Sequence, residues 1–364
     1  MVQVWSIGRL MLLGAAVVMV AAACGGNSNG AATPATDVGK GAITGAGATF
    51  PQPFYQKAFY DYAQKYPQVT VNYGGGGSGA GINGFTNNTV DFGASDIPMS
   101  ATEITKAGGD SSMTQIPTTL GVVSVTYNVS GVSRLNLDGD TLAKIFLGTI
   151  KNWNDPAIAA LNSGATFPNK SITVFHRSDG SGTTYHFTDY LSKVSPDWKA
   201  KTNSPAKSIS WPTGQGASGN QAVAQGVIST DGSIGYVELA YVVQAGMKQA
   251  AIKNANGKFV QASVAGATAA AATNTNVSPT NFSITNAPGD TSYPIAAFSW
   301  VVLRSNYTDA DKGKAIVHLF KWLVSADGQK EGTDLQYAPL PSSVSSLAVT
   351  NLKTIKAGGT AVLS

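Results

Sequence analysis

The stretch ATFPQPFYQKAFYDYAQKYPQVTVNYGGGGSGAGINGF (residues 48–85) decides how the rest of the chain is read. Phe54, Tyr55, Ala58, Phe59, Tyr62 and Tyr66 recur at helical spacing, with Pro51 and Pro53 near the start of the pattern. That spacing predicts a helix whose aromatic stripe faces a core. The β-branched run VTVNY (69–73) follows and predicts a strand. A glycine-rich turn then opens a second helix carrying Ile82 and Phe85. Helices interleaved with strands at this density point to an α/β architecture.

The alternation continues outward. TLGVVSVTYNV (119–129), SITVFHR (171–177), GSIGYVELAYVV (232–243) and IAAFSWVVLR (295–304) read as strands. DTLAKIFLG (140–148), TTYHFTDYLSKV (183–194) and DKGKAIVHLFKWLVS (311–325) read as helices. A chain of 364 residues, at roughly 150 residues per domain, predicts two domains. IPTTLGV (116–122) and APGDTSYPIAAF (287–298) contain breakers between apolar runs and read as the two links between them. The Ala-, Thr- and Asn-biased segment within 255–286 reads as a low-complexity surface excursion.

Charged residues make up only 12% of the chain against 43% hydrophobic, so the sequence is globular rather than disordered. The formal charge is +4 and no run of Lys or Arg occurs, which argues against nucleic acid as a partner. After Arg9 comes the apolar run LMLLGAAVVMVAAA, too short for a comfortable bilayer span and of the right length for a secretory core. It ends at Cys24, the only cysteine, so no internal disulfide is possible. AAAC resembles a bacterial lipobox, with Ala21 where leucine is usual. The reading is a lipoprotein signal over 1–23, lipidation at Cys24, a flexible tether over 24–42, and a site of action outside the cytoplasmic membrane. A plain secretory signal with an incidental cysteine is the alternative.

The usual catalytic patterns are missing. His176, His186 and His318 lack metal-ligand spacing, GGSGA fails the nucleophile-elbow pattern at its last position, and no phosphate-binding P-loop is present. GGGGSG and GAGING satisfy the dinucleotide fingerprint only in its weakest form. What the chain does repeat is a small-residue opening before a helix. GAGATFP (45–51) places Thr49 as a cap, the glycine run places Ser78 before the next helix, and RSDGSGTTYHF (177–187) places Ser181, Gly182 and Thr183 likewise. Each offers backbone N–H groups and short hydroxyls at the positive end of a helix, and three together point to an anion.

Arg177 can grip an anion through its planar fork, while Asp179 holds that guanidinium and offsets its charge. Asp96, in VDFGASDIPMS (90–100), then looks out of place, because it adds negative charge to an anion site. A carboxylate is useful there only if the ligand has a proton to donate. Monohydrogen phosphate has one and sulfate has none. A site built around that donated hydrogen bond rejects the analogue lacking it by about 10⁴-fold or more.

TGAGATFPQPFY, VNYGGGGSGAG, VDFGASDIPMS, LAKIFLGTIKNWNDPAI, RSDGSGTTYHFTDYL, SIGYVELAY and LQYAPLP occur in that order. With them the chain resembles the phosphate-binding lipoproteins of bacterial phosphate-specific ABC transporters, over about residues 43 to 345. The resemblance implies a two-domain periplasmic-binding-protein clamshell of type II, with the ligand between domains joined by two crossover strands. It places 43–117 with 295–364 in domain I and 118–294 in domain II. It implies phosphate contacts at Thr49, Phe50, Ser78, Asp96, Arg177, Ser181, Gly182 and Thr183, with Asp179 pairing Arg177, and no cofactor or metal. His176 stands at a position often basic in relatives, near the expected mouth of the site, and Trp153 and Asp155 read as structural or partner-facing rather than ligand-binding. The implied role is capture of inorganic phosphate by a monomer and its delivery to transmembrane permease subunits, without chemical transformation. A sensor, a binder of another tetrahedral oxyanion such as arsenate or sulfate, and a secreted phosphatase-like enzyme are the alternatives.

Overall fold

The computed structural model describes residues 37–364. The expected leader, Cys24 and most of the 24–42 tether lie outside the described residues.

One sheet organises the chain. Its order is Val69–Gly75, Gly41–Gly47, Phe92–Ser95, Ala296–Arg304, Met113–Asn128, Ser233–Glu238, Thr173–Arg177 and Gln215–Ala217. Pairing is parallel towards both ends and antiparallel in the middle. The 16-residue strand Met113–Asn128 is the shared element. As far as Val122 it pairs with Ala296–Arg304, and from Val123 onward with Ser233–Glu238. Each half of the sheet thus has its own strands, and the long strand belongs to both.

The structure corrects only the loop-like character of the link read at 116–122: this segment lies inside the shared strand, which passes there from one half of the sheet to the other. Pro117 is tolerated because the register against Ala296–Arg304 shifts between Ser299 and Trp300, and an irregularity of this kind relieves a ladder of the N–H that proline lacks. A second correction concerns 232–243. The strand ends at Glu238, whose Oε2 accepts from Ala240 N at 2.7 Å and starts the helix Leu239–Gln244. An apolar run of this length does not distinguish strand from buried helix by periodicity.

The aromatic stripe of Gln52–Lys65 behaves as its spacing predicts. Phe54, Tyr55, Ala58, Phe59 and Tyr62 are buried, and Phe59 meets Tyr55, Tyr73, Phe92 and Phe320 in stacked and edge-on contacts. Such pairs add about 0.5–1.5 kcal/mol each beyond area burial. Part of the segment read as a surface excursion is packed into the molecule, while 255–259 and most of 272–281 are exposed. Gly266, Ala267, Ala270 and Ala271 of the helix Val264–Ala271 are buried, as is Ile284. Asp189 Oδ2 accepts from the hydroxyls of Ser283 and Thr285. Small side chains here permit close approach to the core, a use that composition alone does not separate from solvent exposure. Trp153 and Asp155 are structural: the Trp153 indole N–H donates to Gly232 O, and Asp155 caps the helix Pro156–Ala160.

Candidate functional site

Three small-residue openings meet where the two halves of the sheet adjoin. The helix Ser78–Thr86 begins after Gly77, whose φ of 86° is the left-handed region that favours glycine. A Cβ at Gly77 would also stand 2.0 Å from Asp179 Oδ2. Ser78 Oγ accepts from Asp96 N at 3.1 Å and from Gly182 N at 3.0 Å, so one hydroxyl ties the first half to the opening of Gly182–Val194. Ser181 caps that helix, its Oγ accepting from Thr184 N. Gly79 N donates to Gly180 O at 2.8 Å.

Thr49 takes a different part from the one its sequence predicts. Pro51 occupies the N-cap position of the helix Gln52–Lys65, so Thr49 does not cap that helix. Its hydroxyl instead accepts from Asn220 N at 3.1 Å and Asn220 Nδ2 at 2.9 Å, and its carbonyl accepts from Tyr241 OH at 2.6 Å. Phe50 is fully buried, its carbonyl taken by Tyr337 OH at 2.6 Å and its ring seated over Gly121.

Arg177 is 3% exposed, at the end of the strand Thr173–Arg177. Its Nε and Nη2 donate to the two oxygens of Asp179 at 2.7 and 2.5 Å, and its Nη1 donates to Thr183 Oγ1 at 3.3 Å. Asp179 Oδ1 also accepts from Gly219 N at 3.0 Å. The guanidinium is thereby oriented by a bidentate partner while one edge still faces Thr183. Asp96 is 1% exposed and follows the strand Phe92–Ser95. Ser299 Oγ donates to its Oδ1 at 2.6 Å, and its Oδ2 lies 2.7 Å from where a Cβ on Gly182 would stand. The structure thus gathers Thr49, Ser78, Asp96, Arg177, Asp179, Ser181, Gly182 and Thr183 at one buried junction.

Residues 30–327 match the model of the PBP superfamily domain. The chain is 43% identical over 309 residues to the phosphate-binding protein PstS of Pasteurella multocida, covering 83% of this chain and 87% of that relative. It is 41% identical over 319 residues to the phosphate-binding protein PstS of Haemophilus influenzae, covering 86% and 92%. The chain belongs to the PstS family. The solved structure of a phosphate-binding protein from Stenotrophomonas maltophilia matches it at 22% identity with a TM-score of 0.68, over 85% of this chain and 94% of that one. The fold is accordingly the two-domain periplasmic-binding-protein fold.

In this PstS-family chain the electrostatics of the junction follow from burial. Desolvation pushes the Asp96 carboxyl up to about 7, partly offset by the Ser299 hydrogen bond and the nearby Arg177 charge. Burial acts on Asp179 in the same sense, but the Arg177 hydrogen bonds and charge, together with the Gly219 N–H, outweigh it and hold the carboxyl below the usual range. One carboxylate is committed to the arginine, and the other sits where its charge is costly unless a proton is shared. Burial also lowers His176 and His186. His176 is buried and stacks on Trp211 with ring centroids 4.6 Å apart. His186 Nε2–H donates to Asp96 O at 2.8 Å.

Two residues of this junction escaped the sequence reading. Asn220, fully buried, binds Thr49 and Thr183 through Nδ2 and accepts from Glu238 N at 3.0 Å. Its signal was GASGN (216–220), a fourth small-residue opening before a helix, here Gly219–Ser229. Ser299, on a strand far along the chain, had no local signal at all.

Proposed function

We propose that this protein captures inorganic phosphate in its monohydrogen form at the Asp96–Arg177 junction, outside the cytoplasmic membrane, and delivers it unchanged to the permease subunits of an ABC transporter. The observation that carries the reading is a buried, weakly acidic carboxylate placed against a helix opening and an oriented arginine. The helix end and Arg177 favour a dianion, and Asp96 Oδ2 accepts the proton that such a dianion still holds. The names of its relatives, phosphate-binding proteins at 41–43% identity, support the same ligand. Phosphate contacts are assigned to Thr49, Phe50, Ser78, Asp96, Arg177, Ser181, Gly182 and Thr183. The domains are taken as 43–117 with 295–364 and 118–294, and the change of pairing partner between Val122 and Val123 supports a passage within 117–123. Anchoring through lipidated Cys24 and a monomeric state complete the proposal.

Calorimetric titration of the phosphate-stripped protein tests it. At about pH 8.5, where Asp96 is ionised, wild type binds phosphate and gives no sulfate heat; Asp96→Asn gains sulfate binding, and Arg177→Ala loses phosphate affinity. Phosphate and sulfate isotherms in both variants indistinguishable from wild type would sink the site assignment.

A further inference from the structure

Ser299 enters the junction from a part of the chain that none of the helix openings includes. The strand Ala296–Arg304 pairs antiparallel with Phe92–Ser95, with Trp300 opposite Ser95. One step further along that register sets Ser299 across from Asp96. Both side chains are buried, Ser299 completely, and the serine hydroxyl lies 2.6 Å from Asp96 Oδ1. The backbone of Ser299 is fixed in turn, since its carbonyl accepts from Thr118 Oγ1 at 3.3 Å, and that hydroxyl is 2.5 Å from Tyr55 OH. The register shift between Ser299 and Trp300 falls at this same point.

We infer that Ser299 is a positioning residue for ligand protonation: its hydroxyl occupies Oδ1 of Asp96, holds the carboxyl ionised, and leaves Oδ2 beside Gly182 to accept the proton of the bound anion. This rests on the functional reading above. A carboxylate deprived of water needs a donor on one oxygen if the other is to remain an acceptor. Among the other groups around Asp96, the Ser78 hydroxyl also favours the ionised carboxyl, but less than Ser299 does. Arg177 favours the charge, but both its Nε and Nη2 are committed to Asp179, which opposes it. Burial pushes the Glu238 carboxyl well above its usual range and keeps the phenols of Tyr55, Tyr73, Tyr241 and Tyr337 neutral. His186 reaches only the Asp96 backbone carbonyl.

The test compares wild type with Ser299→Ala and Ser299→Thr, titrating phosphate and sulfate from about pH 5 to about pH 8.5, with the Asp96 carboxyl carbon followed by NMR in the ligand-free proteins. A hydrogen bond to a charged group is strong enough that its loss moves the carboxyl titration up by about one pH unit or more. In Ser299→Ala the acid side of the phosphate-affinity profile shifts upward by that amount. Sulfate binding appears at a higher pH than in wild type, because a protonated Asp96 donates to it. Ser299→Thr, which keeps the hydroxyl, restores both profiles. Loss of phosphate affinity by the same factor at every pH, or an unmoved carboxyl titration in Ser299→Ala, overturns the inference. If the wild type binds no phosphate at any pH, the functional reading fails and takes the ligand's part of the inference with it; the carboxyl titration still reads the Ser299–Asp96 link separately.

Discussion

Gly182→Ala separates the closed state from the folded state. Gly182 is the first residue of its helix and has no positive φ, so an alanine suits the backbone and adds up to about 1 kcal/mol of helix propensity. The obstacle lies across the junction. The new Cβ would stand 2.4 Å from Asp96 Cβ, 2.7 Å from Asp96 Oδ2 and 2.8 Å from Ser78 Oγ, where ordinary contact begins at 3.4 Å. The two halves must retreat by about 1 Å, which stretches the 3.0 Å bond from Gly182 N to Ser78 Oγ beyond hydrogen-bond range. Losing that bond costs about 1 kcal/mol, and drawing the helix opening off a bound anion costs about 1.5–3 kcal/mol more. The sum corresponds to a loss of roughly 10²- to 10³-fold in phosphate affinity. Calorimetric titration reads the affinity, and thermal unfolding of the phosphate-free protein reads the fold, with Gly74→Ala, where a Cβ meets nothing within 4 Å, as control. The expected result is weak binding with an unchanged or slightly raised Tm. Affinity within about threefold of wild type would refute the reasoning, since a loss that small is under 1 kcal/mol, and so would a collapsed Tm.

Asn220→Ala leaves Glu238 N–H without its partner and takes one of two donors from each of the Thr49 and Thr183 hydroxyls, so Tm should fall and phosphate affinity should drop about tenfold or more, read by unfolding and titration on one sample. Lys207 pairs with Glu103 on the Ala101–Lys106 helix with both side chains partly exposed; Lys207→Ala should weaken phosphate binding only a few-fold, by under about 1 kcal/mol, and the difference should vanish in high salt. The Asp96 carboxyl stands at about 7 when buried at the junction against 3.8 when solvated. Its contribution to closure is therefore fully present below the solvated value and is lost as pH rises through about 7, a difference of at most roughly 4 kcal/mol. Small-angle scattering of phosphate-free protein should show compaction on acidification across that window, absent in Asp96→Asn.

What the sequence made legible was what depends on neighbours along the chain. The aromatic stripe of Gln52–Lys65 and the small-residue openings at Ser78 and Gly182 repeat within a few positions, so periodicity and cap chemistry exposed them. The corrections fall where tertiary contacts override a local signal. Pro117 reads as a breaker until a register shift on the paired strand makes room for it. The Ala-rich helix Val264–Ala271 reads as surface until its small residues are seen against Tyr293 and the core.

The partners of the charged groups show the same division more sharply. Asp179 lies two residues from Arg177, and that pair was readable from the chain. Asn220 is 171 residues from Thr49, and Ser299 is 203 from Asp96, so no local pattern records either contact. Both cross positions where strands of distant origin lie side by side, and both act on hydroxyl or carboxylate oxygens rather than on charge. A site that handles a dianion mainly with neutral dipoles needs many such partners, each contributing little. Local motifs can therefore show the ligand's class, while the groups that fix where its proton goes are supplied by the topology of the sheet.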